Sequence, residues 1–250
     1  SIVDVILKNG KMVVEICANS FRSARNAEKA GADRIELCTE LATGGLTPSY
    51  GLLKQVISKL SIPVYVLIRP RSGDFCYSDE DFDIMKQDIS LCKKLHCQGI
   101  VSGVLHADMT IDLERTKELV ELTRPLSFTF HRAFDSVPNP LKALTELEKI
   151  GVERLLTSGQ QSTAVEGLPL LQKLQENFSG NIIPAAGINT KNISKFKTSI
   201  FKEIHFSASI QEKRNTTDFL PLNSEKHFDE TYQTYADQNI IEQMISLLHA

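Results

Sequence analysis

Two short stretches of the chain repeat the order carboxylate, apolar residue, cysteine. They read Glu15-Ile16-Cys17 and Glu36-Leu37-Cys38, and each ends a run of residues that favour β-strands. Side chains alternate faces along a strand, so the carboxylate and the thiol of each stretch share one face. If the two stretches form neighbouring parallel strands, which lie about 4.8 Å apart, two thiols and two carboxylates meet at one end of a sheet.

The thiols of Cys17 and Cys38 leave three interpretations open. Two thiolates at that spacing suit a soft ion of low coordination number such as Cu(I). A redox pair is the second interpretation, although the sequence contains no Cys-x-x-Cys motif. Burial as small apolar side chains is the third. The other cysteines are predicted to be structural, in a loop, in a helix and at a helix end: Cys76, Cys92 and Cys97.

The elements that must position these residues alternate between strand and helix eight times. Strict alternation favours a parallel sheet. Eight such units in 250 residues favour a single-domain α/β fold, the closed (β/α)8 TIM barrel, over an open doubly wound sheet. No Gly-x-Gly-x-x-Gly motif follows the first strand, which argues against dinucleotide binding. The predicted strands are 13–17, 34–38, 64–68, 100–105, 126–131, 154–157, 182–185 and 203–207.

Helix starts are indicated by residues whose side chains accept hydrogen bonds from first-turn N–H groups. The second helix is predicted to open at Thr47-Pro48. Other predicted N-caps are Ser20, Ser78, Asp112 and Asn139. The later part of the chain is predicted to contain helices at 163–177, 189–201 and 238–248 and an irregular segment at 211–236.

The barrel is predicted to span residues 13–250. Residues 1–12 are predicted to form an N-terminal extension or a hairpin, because Asn9-Gly10 stands between two apolar runs and favours a tight turn.

Ionisable residues are predicted to face the barrel interior near the C-terminal ends of the strands, where active sites of this fold lie. Buried charges must pair, so one interpretation is a structural network of ion pairs. The other is a functional site, because ionisable groups gathered in a cavity are typical of one. The candidate catalytic residues are then Glu15, Glu36, His131 and His205. The candidate residues for binding an anionic substrate are Arg69, Arg71, Arg132, Ser158 and Gly159.

Composition narrows the class of partner. A net charge of −3 and a pI near 6.1 argue against nucleic acid or an anionic membrane as the main partner. No apolar run is long enough to cross a bilayer, and the N-terminus does not resemble a secretory signal. Five dispersed cysteines indicate reduced thiols and a cytoplasmic protein, and none has zinc-site spacing.

Six motifs together resemble the CutC copper-homeostasis family from about Val13 to the C-terminus. This resemblance implies a cytoplasmic TIM barrel that forms a homodimer or homotetramer and handles copper, with Cys17 and Cys38 as the Cu(I) ligands. One departure is Pro184-Ala185-Ala186-Gly187, where many relatives carry a run of glycines. The motifs are Glu15-Ile16-Cys17, Gly31-Ala32-Asp33-Arg34-Ile35-Glu36-Leu37-Cys38, Gly44-Gly45-Leu46-Thr47-Pro48-Ser49, Ile68-Arg69-Pro70-Arg71-Ser72-Gly73-Asp74-Phe75, Phe128-Thr129-Phe130-His131-Arg132-Ala133-Phe134-Asp135 and Leu156-Thr157-Ser158-Gly159.

Two functions therefore stand side by side, with a purely structural or oligomerising role ranked below them. One is a protein of copper homeostasis that binds Cu(I) through Cys17 and Cys38. The other is a TIM-barrel enzyme, of the lyase, isomerase or hydrolase type, acting on a small anionic substrate at the C-terminal face of the barrel. The sequence indicates no organic cofactor, and whether a reaction is catalysed stays open.

Overall fold

Eight parallel strands form the wall of the barrel in a computed structural model, which describes residues 11–197, 200–214, 220–222 and 227–249. Along the sheet the strands follow the order β7-β6-β5-β4-β3-β2-β1-β8, and each helix that follows a strand covers the outside. The predicted single-domain (β/α)8 barrel is confirmed. The strands are β1 (Val13–Ala18), β2 (Arg34–Leu37), β3 (Val64–Leu67), β4 (Gly99–Ser102), β5 (Ser127–Phe130), β6 (Arg154–Thr157), β7 (Asn181–Pro184) and β8 (Glu203–Phe206).

The strand register brings the ionisable residues of three strands together. Glu15 lies beside Arg34 of β2 on one side and beside His205 of β8 on the other, and Cys17 lies beside Glu36. The alternate residues point outward, where Ile16 and Ile35 are fully buried beneath the helices. The alternation of faces along each strand therefore sends the charged residues into the barrel interior.

The seam of the barrel is the place where β7 and β8 face each other. These two strands stand at opposite ends of the hydrogen-bonded strand order. A side chain bridges them, because Asn181 Nδ2 donates to Glu203 Oε1 at 2.8 Å.

Seven α-helices lie in the described part of the chain, and four begin at the predicted N-caps. The side chains of Ser20, Ser78, Asp112 and Asn139 each accept the N–H of the residue three positions on. These bonds satisfy donors that have no partner within the helix. The helices are α1 (Phe21–Lys29), α2 (Tyr50–Lys59), α3 (Asp79–Lys94), α4 (Leu113–Thr123), α5 (Pro140–Lys149), α6 (Leu168–Glu176) and α7 (Gln238–His249).

The second helix begins two residues later than predicted. Ser49 is its N-cap and accepts the N–H of Leu52. Thr47 instead accepts the N–H of Arg69 through Oγ1 at 2.8 Å. The prediction at Thr47-Pro48 was wrong because this hydroxyl fastens the loop after β2 to the end of β3.

Two other predicted helices are shorter in the structure. Thr163 and Glu166 form a separate turn in which each side chain accepts the other's N–H, and α6 starts only at Leu168. The segment predicted as a helix at 189–201 contains one 3₁₀ turn, Ile193–Phe196; residues 198–199 lie outside the described part.

An antiparallel ribbon, β9 (Ser209–Lys213) with β10 (Tyr232–Ala236), replaces part of the segment predicted to be irregular. β9 is polar apart from Ile210, and β10 buries only its last two residues, Tyr235 and Ala236. The sequence therefore lacks the sustained apolar alternation that marks a buried strand face. The ribbon packs on α1, where Asn26 Nδ2 donates to Ala236 O at 2.8 Å. Residues 215–219 and 223–226 lie outside the described part, as does the predicted turn at Asn9-Gly10.

Among the described residues, no helix combines the length and the apolar character that crossing a membrane requires.

Candidate functional site

A cavity of about 500 Å³ opens at the C-terminal ends of the strands. This is the face at which TIM barrels carry their sites. Residues from strand ends and from the loops after them line the cavity, and its ionisable and thiol-bearing lining residues are Cys17, Glu36, Arg69, His131, Arg132, Asp135 and His205.

The predicted meeting of the two thiols is present. Cys17 Sγ and Cys38 Sγ lie 3.7 Å apart. Cys17 is partly exposed and lines the cavity, whereas Cys38 is fully buried against Tyr65 and Leu67. The loop after β2 covers Cys38, since a Cβ on Gly45 would lie 3.7 Å from Cys38 Cβ and 3.8 Å from Cys38 Sγ. Only one of the two sulfurs therefore borders the open cavity.

The environment of Cys17 keeps its thiol protonated at neutral pH. The hydrogen bond with Cys38 and burial raise the pKa of Cys17 well above its ordinary value, although a hydrogen bond from His205 opposes this. Any ion that binds here must displace the thiol proton.

His205 connects Cys17 to two carboxylates. Its Nδ1 lies 2.7 Å from Glu15 Oε1 and 3.8 Å from Glu36 Oε2. Burial would lower the pKa of His205, but the hydrogen bonds with Cys17 and Glu15 and the charge of Glu36 raise it well above its ordinary value. His205 is therefore an imidazolium in this cluster.

The two carboxylates differ in protonation. Burial would raise the pKa of Glu15, but Arg34 and His205 lower it far below its ordinary value. Burial raises the pKa of Glu36 to about 7, against the opposing charge of His205. Glu36 Oε2 has no hydrogen-bond partner among the described residues. Glu36 is therefore the group of this cluster that exchanges a proton near neutral pH.

Beneath the cavity a network of ion pairs fills the barrel interior. Arg34 donates to both Glu15 and Glu203, and Arg154 donates to Glu203. Both guanidinium groups lie over the ring of Tyr65, at 4.6 and 5.2 Å from its centroid. Glu15 is 1% exposed and belongs to this network, which supports the structural interpretation for that residue.

Arg154 belongs to this network, although no role was predicted for it from the sequence. It lies at the start of β6, two residues before the cavity-lining Leu156. Because side chains alternate faces along a strand, Arg154 lies on the same inner face as Leu156.

Arg69 supplies a buried positive charge to the opposite wall. Its Nη1 donates to the carbonyls of Thr43 and Gly45 at 2.7 and 2.9 Å, and its Nη2 donates to Gly73 O at 2.8 Å. All these acceptors are neutral. No carboxylate of the described residues bonds directly to Arg69 to balance its charge.

His131 packs beside Arg69 through the ring of Phe75. The Phe75 ring centroid lies 4.9 Å from that of His131 and 5.2 Å from the Arg69 guanidinium carbon. His131 Nδ1 accepts the N–H of Ala133, so the proton of the neutral ring resides on Nε2. Burial and Arg69 lower the pKa of His131 to about 3. His131 is thus a neutral hydrogen-bond donor, which differs from its predicted role as a candidate catalytic residue.

Arg132 is half-exposed at the cavity rim and is held by Asp135. Its Nε donates to Asp135 Oδ2 at 2.8 Å, and its Nη2 donates to Ser158 Oγ at 3.2 Å. Asp135 also accepts the N–H groups of Ser158 and Gln160. Asp135 therefore joins the loops after β5 and β6, a role that the Phe134-Asp135 sequence alone did not reveal.

The remaining predicted anion-binding residues serve the loops in this structure. Arg71 donates to Asp81 at 2.8 Å and to Asp74 at 3.0 Å, on the loop after β3. Ser158 Oγ donates to Gln161 O, and Gly159 packs so closely on Gly167 that a Cβ would meet its carbonyl at 2.3 Å. Their anion-binding roles stay predictions.

Fold and site define a class: a single-domain (β/α)8 barrel with a polar cavity at its C-terminal mouth and a thiol pair in the cavity wall. The CutC family model matches residues 12–210, and the chain belongs to the CutC family.

Similar proteins span much of the chain. A CutC family protein of Proteus mirabilis is 47% identical over 240 residues, covering 94% of this chain and 96% of its own. A human protein described as a copper homeostasis protein cutC homolog is 48% identical over 199 residues, covering 78% of this chain and 73% of its own.

Solved structures agree with the fold. The crystal structure of a protein described as a copper homeostasis protein CutC, from Streptococcus agalactiae, superposes with a TM-score of 0.72 at 32% identity, over 78% of this chain and 97% of that one. A thiamine phosphate pyrophosphorylase from Pyrococcus furiosus reaches a TM-score of 0.57 at 14% identity, over 97% of this chain and 98% of its own. At that identity the likeness concerns the fold alone.

Proposed function

We propose that this protein serves copper homeostasis by binding Cu(I) through Cys17 and Cys38. The observation that carries the proposal is the 3.7 Å separation of the two sulfur atoms at the cavity. Thiolates are soft ligands that select Cu(I) over harder ions. The donor set therefore fits the ion, and Cys17 gives it access from the cavity.

The relatives support the same assignment. The human protein, 48% identical over 199 residues, carries copper homeostasis in its name. The proposal extends to a cytoplasmic location, which the five free cysteines support, and to a homodimer or homotetramer, whose mass sedimentation would measure.

Anaerobic titration with Cu(I) in competition with a chromophoric chelator tests the proposal. The wild-type protein should take up one Cu(I) per chain, and the Cys17→Ser/Cys38→Ser variant should lose this binding. Cys76→Ser is the matched control, because Cys76 is an exposed thiol on the loop after β3. Equal affinity in the double variant and the wild type would exclude this site.

A second candidate function is catalysis on a small anionic substrate. The cavity is favoured as an active site because Glu36, with a pKa near 7, and the buried cation of Arg69 line the same space. Turnover of small organic anions, screened with and without Cu(I), should disappear in Glu36→Gln. Absence of turnover under both conditions contradicts this candidate and leaves the copper proposal intact.

A further inference from the structure

Three successive backbone N–H groups of cavity-lining residues have no acceptor among the residues that the structure describes. They belong to Ala186, Gly187 and Ile188, in the loop after β7, and all three residues line the cavity. None of these N–H groups donates to any acceptor in the described part of the chain. The flanking N–H groups do have acceptors: Ala185 donates to Thr157 O at 3.0 Å, and Asn189 donates to Asn192 Oδ1 at 2.9 Å. The run of three free donors is therefore bounded on both sides by N–H groups that have acceptors.

The conformation of this turn is unusual. Ala186 has φ +84° and Gly187 has φ +67°, so two successive residues occupy the left-handed region. For alanine this region is strained by about 1–2 kcal/mol. Turns that direct successive N–H groups to one side form concavities that bind anions. The turn keeps this shape even though the first of its two left-handed residues is an alanine.

The carbonyls of the turn are engaged away from the cavity. Ala186 O accepts the N–H of Ala164 at 2.9 Å, and Gly187 O accepts Asn192 Nδ2 at 2.8 Å. Neither Ala164 nor Asn192 is a cavity-lining residue. The turn therefore offers the cavity donors, whose electrostatic character favours a negative charge.

Charged side chains of the cavity reinforce this preference. Arg132 stands at the rim. Arg69 is 6% exposed, and its hydrogen bonds to the described residues go to neutral carbonyls. The carboxylate on this side is Asp135, whose oxygens already accept from Arg132, Ser158 and Gln160. The free N–H groups, Arg132 and Arg69 therefore border one cavity, and Arg69 adds a charge that no directly bonded carboxylate of the described residues balances.

We propose that the Ala186–Ile188 turn and Arg132 form a binding site for the oxyanion group of a small metabolite, a phosphate or a carboxylate. The rest of the ligand extends across the cavity toward Cys17 and Glu36, and a space of about 500 Å³ is large enough for a small organic molecule. Loops after the seventh and eighth strands supply phosphate sites in many barrels of this kind. The inference goes beyond Cu(I) binding and requires neither bound copper nor turnover.

Amide-resolved NMR tests the site directly. Uniformly ¹⁵N-labelled full-length protein is titrated with inorganic phosphate and, separately, with malonate. Saturable downfield shifts at the amides of 186, 187 and 188 are expected with at least one probe. A response to only one probe also supports the site and identifies the oxyanion. No shift at these three amides with either probe overturns the proposal.

Variants then test the role of the arginine. Arg132→Gln should weaken the affinity for the responding probe by about tenfold, and Arg132→Lys should weaken it less, because a charged donor remains. Arg22→Gln is the matched control: Arg22 is also a half-exposed arginine paired with a carboxylate, Glu212, but it lies outside the cavity lining. Equal weakening in Arg22→Gln and Arg132→Gln excludes a specific role for Arg132.

The outcome is independent of the copper proposal. The Cys17→Ser/Cys38→Ser variant should bind the responding probe with wild-type affinity while losing Cu(I). If that variant loses both Cu(I) binding and probe binding, the oxyanion needs the thiol pair, and this contradicts the proposed site. Loss of Cu(I) alone supports both proposals separately.

Discussion

His205 Nδ1 lies 2.7 Å from Glu15 Oε1, in the wall where β8 adjoins β1. This bond links the buried ion-pair network to the cavity, because Glu15 also accepts from Arg34 and His205 also borders Cys17 and Glu36. The charge of each group depends on its neighbour. The pairing therefore predicts the direction in which a substitution in the network changes the stability of the protein.

Replacing Arg34 with methionine should strongly destabilise the protein. Arg34 is 1% exposed and is the shared donor to Glu15 and Glu203, so its removal leaves buried carboxylates without their main cation. We expect a loss of about 3–5 kcal/mol in the free energy of unfolding, measured with urea. Arg22→Met removes an exposed ion pair and should change stability little. Similar losses in the two variants contradict the structural role of Arg34.

His131 should make the protein less stable as the pH falls. The pKa of His131 is about 3 in the folded protein against 6.5 as its ordinary value. Between these values the unfolded chain binds a proton that the folded protein does not, so acid favours unfolding. We expect His131→Gln to lack this contribution, which amounts to about 2 kcal/mol at pH 5. Urea unfolding at pH 7 and pH 5 measures this contribution. If the free energies of unfolding of wild type and His131→Gln differ by the same amount at both pH values, the prediction is wrong.

Glu36 should act in the opposite direction. Its pKa rises from 4.5 to about 7 on folding, so the folded protein holds a proton that the unfolded chain releases. Stability from this group is present below pH 4.5 and is lost as the pH rises to 7. Between pH 4.5 and pH 8, the free energy of unfolding of Glu36→Gln should rise by about 3 kcal/mol relative to that of the wild type. Carbon-13 NMR of labelled glutamate side chains should show one midpoint near 7 that is missing in Glu36→Gln.

Glycine at position 186 should be tolerated or favourable. Ala186 has φ +84°, where the Cβ causes strain that glycine lacks, and this relief outweighs or offsets the greater entropy of glycine in the unfolded chain. We expect Ala186→Gly to change the free energy of unfolding by about 0 to +1 kcal/mol. Ala185→Gly is the control, since Ala185 is buried without a positive φ, and it should destabilise. A clear loss of stability in Ala186→Gly argues against strain at this turn.

Much of the fold followed from local signals in the sequence. The meeting of Cys17 and Cys38 was predictable because it depends on two simple rules, the alternation of faces and the adjacency of sequential strands. The N-caps at Ser20 and Ser78 were predictable because a hydroxyl followed by a helical pattern is a local signal. Both outcomes depend on residues close to one another in sequence or on neighbouring strands.

Other features depend on partners distant in sequence. Thr47 was predicted as an N-cap, but its hydroxyl accepts from Arg69, 22 residues away. Arg154 pairs with Glu203, 49 residues away, and no local pattern joins them. The ribbon β9–β10 has too few apolar residues to show a strand pattern in the sequence, and it is held by contacts with α1.

The missing backbone ladder between β7 and β8 makes the barrel wall weakest along one line. Opening there breaks side-chain bonds such as Asn181 to Glu203 rather than a row of main-chain bonds. Deuterium should therefore enter first along the facing edges of these two strands. This seam runs between His205 and the Ala186–Ile188 turn. Transient separation of β7 from β8 would therefore widen the cavity entrance beside the proposed anion site. A bound anion that bridges the two sides of the seam should slow the exchange.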